Sequence, residues 1–131
     1  MTTFHLPRTG MPELIFDGEL RTEQIGTDTD DVTQGRVHDV RVYEADDGQF
    51  IVSVDYRSPF DSELSDNLVE AVDDLDGIDA VLSLYEAAER LDTTLFGERD
   101  TIRIQTVSSN LVDRFDRQVI ATLNALAASH V

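Results

Sequence analysis

The sequence predicts an α+β fold: an antiparallel meander of three strands, with a fourth near residues 101–107, packed with three helices in the order β-β-β-α-α-β-α. Three observations predict it. From Arg36 to Tyr56 apolar and polar residues alternate on either side of Asp46-Asp47-Gly48. Period two sets successive side chains on opposite faces of a strand, and Asp-Gly accepts the positive φ of a tight turn. After Ser58-Pro59 the apolar spacing lengthens to three and four residues, the period of a helix facing a core. Near the C-terminus Val112, Phe115, Val119, Leu123 and Leu126 form a long stripe of that period.

In chain order, residues 1–11 hold Pro7 and Gly10 and read as a flexible arm, leaving 12–131 as a single α+β domain. Glu13 to Leu20 reads as the first strand, with Gly18 breaking its apolar row. Residues 25–35 are dense in Gly, Asp and Thr, a loop signature. The hairpin of Val40, Val42, Phe50, Val52 and Val54 then supplies two strands with one face on the core. Leu64, Leu68, Val72 and Leu75 suggest a first helix with an anionic outer face, stopped by Gly77. A second helix is expected from about Ile78 to Leu91. Asp100 to Val107 alternates again and reads as the fourth strand. Asn110, with Asp113 three residues on, is positioned to cap the last helix.

The residues Glu13, Leu14, Phe16, Gly18 and Glu19, followed by Tyr43, Gly48, Phe50 and Val52, resemble a group of short prokaryotic proteins often carried on mobile elements. Those proteins share a Glu-Leu-x-Phe-x-Gly-Glu strand and a later glycine turn. The resemblance spans roughly residues 12–56 and implies the meander; it brings no activity and no site residues.

The charge is the most informative part of the composition. The net charge is −17, all ten basic residues are arginine, and eighteen of the 27 acidic residues are aspartate. This resembles proteins of salt-in halophilic archaea. Molar salt shrinks the Debye length to about 3 Å and removes the repulsion that would otherwise oppose a compact state. With 27 acidic against ten basic residues, direct nucleic-acid binding is disfavoured, because phosphate contacts supply most nonspecific affinity. No cysteine is present, so disulfides and thiolate chemistry are excluded. The N-terminus has no charged region leading into an apolar core, and no stretch approaches the roughly 20 apolar residues of a membrane span. A cytoplasmic protein without a membrane partner is expected.

Candidate chemistry is sparse. Asp28, Asp30 and Asp31 could offer oxygens to a hard cation, but an EF-hand count from Asp28 puts Val32 and Thr33 where an oxygen ligand and glycine belong. His5, His38 and His130 lack histidine partners at helical spacing, and His38 is expected on the hairpin surface. Ser108 and Ser109 sit outside any nucleophile-elbow motif, and no lysine exists for a phosphate loop. These observations predict a non-enzymatic interaction or regulatory subunit with no cofactor, partnered by another protein or by itself through Val119, Leu123 and Leu126. Two competing readings are an acidic DNA mimic or anti-defence protein of a mobile element, and a hydrolase-like enzyme using clustered carboxylates.

Overall fold

A computed structural model describes residues 2–97 and 100–129. Five strands come first: β1 (Thr2–Arg8), β2 (Met11–Gln24), β3 (Val37–Ala45), β4 (Phe50–Arg57) and β5 (Asp66–Val72). Two helices follow, α1 (Leu75–Leu84) and α2 (Thr101–Ser129), with a 3₁₀ turn at Thr93–Leu95 between them. The strands form one antiparallel sheet in chain order, β1-β2-β3-β4-β5. The sheet curls until its edges meet at one end: Thr9 N donates to Asn67 O at 3.0 Å, and Asn67 N donates to Thr9 Oγ1 at 2.8 Å.

The β3–β4 hairpin forms where the alternation places it. Val40 pairs with Val54 and Val42 with Val52, and Gly48 takes φ +89° in the turn, where L side chains are strained. Its burial differs from the expected single core face, because both faces are covered. Val40, Val42, Val52 and Val54 pack against Ile78 and Leu82 of α1 and Phe115 and Leu126 of α2. On the reverse face Tyr43, Ile51 and Val69 meet Phe4, Leu6, Leu14 and Phe16, which the curl brings over them. Phe4 lies 4.7 Å from Tyr43 and 5.4 Å from Phe16, centroid to centroid. Full burial of one such side chain is worth about 1.5–3 kcal/mol, so the second cluster is a real reason for the curl.

That cluster also corrects the expected arm. Residues 2–8 are strand, since Phe4 and Leu6 point to the aromatic cluster while His5 faces out, and Thr9-Gly10 turns the chain into β2. β2 extends over Met11–Gln24, well beyond the expected 13–20. Gly18 sits opposite Ala45, and a Cβ there would lie 2.3 Å from Glu44 O, so the gap in the apolar row is a close backbone approach.

The three-helix, four-strand arrangement is overturned. The expected first helix is β5: Leu68 and Val72 reach the main core while Val69 reaches the second cluster, so the strand needs apolar residues on both faces. Two-sided burial imitates helical spacing over so short a run. Gly77 does not stop a helix; its N–H donates at 2.8 Å to Asp74, the N-cap of α1. The second helix ends at Leu84 instead of Leu91. The expected fourth strand is the start of α2, where Ile104, Val107, Leu111 and Phe115 continue the apolar stripe three and four residues apart. Asp100 caps it, accepting from Arg103 N at 3.3 Å, while Asn110 lies inside the helix and donates to Thr106 O. Two helices therefore replace three, and α+β content is what remains of the expectation. No described helix is long and apolar enough to cross a membrane.

Candidate functional site

The site grows from the loop between β2 and β3. Asp28 holds that loop from within, its carboxylate accepting from Thr33 N at 3.4 Å and Gly35 N at 2.6 Å. Asp31, Gln34 and Gly35 all take positive φ, so the loop is wound tightly around that carboxylate. Arg114 of α2 clamps it from outside, donating to Thr27 O at 2.8 Å, to Asp28 at 3.0 Å and to Asp30. One turn on, Gln118 Nε2 donates to His38 O at 2.7 Å and Gln24 O at 3.2 Å. Between loop and helix lies a cleft of about 260 Å³. Its walls are Ile25, Val37 and Leu111, with Arg114, Gln118 and the largely exposed Arg117 supplying the polar side.

Among the described residues no carboxylate lines this cleft, although the chain carries 27 acidic residues. Other concavities do have acidic linings: Glu70, Glu86 and Glu89 in one, Glu19, Glu44 and Asp46 in another. The Arg114 hydrogen bond holds the exposed Asp30 carboxyl below its ordinary range. Behind the cleft, burial pushes the Asp39 carboxyl up, but hydrogen bonds from Arg57 and Gly26 N outweigh it and leave Asp39 lowered.

Asp28, Asp30 and Asp31, the weak candidates for a hard cation, all lie in this loop. Arg114 occupies the first two, and among the described residues no group of three or more His, Asp or Glu is placed to hold a metal ion. Val119, Leu123 and Leu126, expected as a contact surface, pack into the main core; their helix face is used up by the sheet. His38 is buried instead of lying on the hairpin surface. Its ring sits 5.1 Å from Tyr56, 5.4 Å from Tyr85 and 5.2 Å from Phe115, and its Nε2 has no hydrogen-bond partner. Burial draws its pKa down to about 4. His5 is exposed on β1, 3.4 Å from Glu13, and His130 lies outside the described residues. Ser108 and Ser109 lie within α2.

Sequence reasoning missed the buried centre beside the cleft. Arg36 donates to Glu63 through Nε at 2.7 Å and Nη2 at 2.6 Å, both side chains fully buried. Tyr56 OH donates to the same carboxylate at 2.5 Å, and Asp92 N at 2.9 Å. Phe60 lies 4.3 Å beneath the guanidinium. Burial favours a neutral Glu63, but these donors overcome it and lower its pKa, while burial and Glu63 push the Tyr56 phenol well up. The group is therefore an anion held by four donors, unsuited to passing a proton. The only hint in the sequence was an Arg beside a strand and a Glu among many.

The chain matches no family model, no curated protein and no solved structure.

Proposed function

We propose that the protein is a non-enzymatic interaction or regulatory subunit suited to salt-rich solvent, which takes a side chain of a partner protein in the cleft between α2 and the β2–β3 loop. The observation that carries this is the cleft's lining: apolar walls, an amide and arginine, and among the described residues no carboxylate, within a chain of net charge −17. A partner's side chain entering there loses water against Ile25, Val37 and Leu111 and meets the Arg114, Arg117 and Gln118 side chains.

The use made of ionisable groups supports the non-enzymatic part. Glu63, Asp39 and Asp28 each hold loops or strands in place through several donors, and His38 is sealed among aromatic rings. Each of these groups is accounted for by packing or by donors that fix it in one state. An acidic mimic would need the carboxylates of residues 61–76 in one ordered row on a helix. That stretch is divided among a loop, β5 and the start of α1.

The test is recovery of the tagged protein in molar KCl from the cells that make it, beside an Ile25→Glu/Arg117→Glu variant. Both positions are exposed, so the fold should survive. A defined protein held by the native chain and lost from the variant is the expected result. Equal recovery with both, or no stable partner with either, defeats the reading.

A further inference from the structure

Beyond that cleft, a second concavity of about 360 Å³ lies between β5 and α1. Its floor is apolar: Leu68 from β5, and Val81 and Tyr85 from α1 and its C-cap. Leu84 extends the floor outward and is 81% exposed, because Ile78 and Leu82 already fill the core side of α1. The four residues give a continuous apolar strip instead of a lone exposed leucine.

Three carboxylates rim the strip: Glu70, Glu86 and Glu89. Among the described residues none of the three has a basic partner, although most arginines here are paired. Arg90 also lines the groove, lying 4.5 Å over the Tyr85 ring, but its guanidinium donates to the Asp66 carboxylate and to Glu86 O, not to the three rim carboxylates. The last turn of α1 carries no basic residue, so its free carbonyls add negative potential at the same end. In an isologous pair with a second copy, each groove's three carboxylates would face the same three, with the lining Arg90 already committed to Asp66.

We propose that this groove docks an apolar segment of a partner protein that carries arginine or lysine beside its anchoring side chain. The anchor covers Leu84 and the Val81–Tyr85 floor, and the cation meets Glu86 and Glu89. The proposal does not depend on the cleft beside α2.

Calorimetry in 2 M KCl can test it with two synthetic amphipathic peptides that share their leucines and differ only in arginine or glutamate flanks. At that salt, attraction beyond about 3 Å is screened, so a preference reports contact. The arginine peptide should bind the native chain at least about tenfold tighter than the glutamate peptide. Leu84→Asp should weaken it about tenfold, with circular dichroism confirming an intact fold. Glu86→Arg/Glu89→Arg should reverse the preference. That reversal is decisive, because the double variant remains strongly anionic overall, and bulk charge alone would still favour arginine. Equal binding of both peptides, a preference that survives the charge reversal, or a native dimer broken by Leu84→Asp would each overturn the proposal.

Discussion

Arg36 and Glu63 meet 27 residues apart in sequence, with no part of either side chain open to solvent. The pair joins the start of β3 to the loop before β5, and through Asp92 N to the segment before α2. Removing one partner leaves a charge with no water to receive it. Arg36→Met or Glu63→Leu should each cost about 3–5 kcal/mol by chemical denaturation, and the double variant should recover much of that loss. Single-variant losses under about 1 kcal/mol would contradict the burial.

His38 makes stability depend on pH in a defined window. Its pKa falls from 6.5 to about 4 on folding, so between those values the unfolded chain binds more protons than the folded one. Stability is then fully present above pH 6.5 and declines toward pH 4, by up to about 1.4 kcal/mol per pH unit. Glu63 and Asp39, also lowered, act below the ordinary carboxylate range and in the same direction. Thermal unfolding from pH 4 to 7 should show the slope, and His38→Phe should flatten it between pH 5 and 6.5.

Arg114 fastens a loop 86 residues away in sequence. Arg114→Ala should cost only about 1 kcal/mol globally, since the pair is partly open to water. Its larger effect should be local. Hydrogen exchange at Thr33 and Gly35, whose N–H groups Asp28 accepts, should quicken while β3 and β4 stay protected.

The surface charge predicts a response to salt. Circular dichroism between 0.1 and 3 M KCl should show the fold gaining stability as screening removes the repulsion of net charge −17. A chain as stable in 0.1 M as in 3 M KCl would leave its aspartate-rich, lysine-free surface needing another cause.

The hairpin could be read from the sequence because its signals are local: alternation on both sides and a glycine at the one turn position that needs positive φ. β5 could not, because apolar residues on both faces of a strand fall at helical intervals over seven residues. The first turns of α2 were hidden by the opposite accident. Thr101, Ile102, Ile104 and Thr106 favour strands, and only Leu111 and Phe115 beyond them fix the helical face. The site was harder still. Asp28 is one of eighteen aspartates until Arg114 meets it, and nothing around Val37 and Asp39 foretells that His38 will be enclosed by rings from β4, the end of α1 and α2.

Because the strands lie in space in the order the chain makes them, each finds its neighbour through a turn or loop, without waiting for a distant segment. Such local pairing favours rapid assembly of the sheet. Its valine face is different: α1 covers part of it, and Val40, Val42, Val52 and Val54 are fully covered only when α2, the last element, docks beside α1. Until then the half-made molecule is a sticky surface, and how fast that helix settles sets how much chain is lost to aggregation.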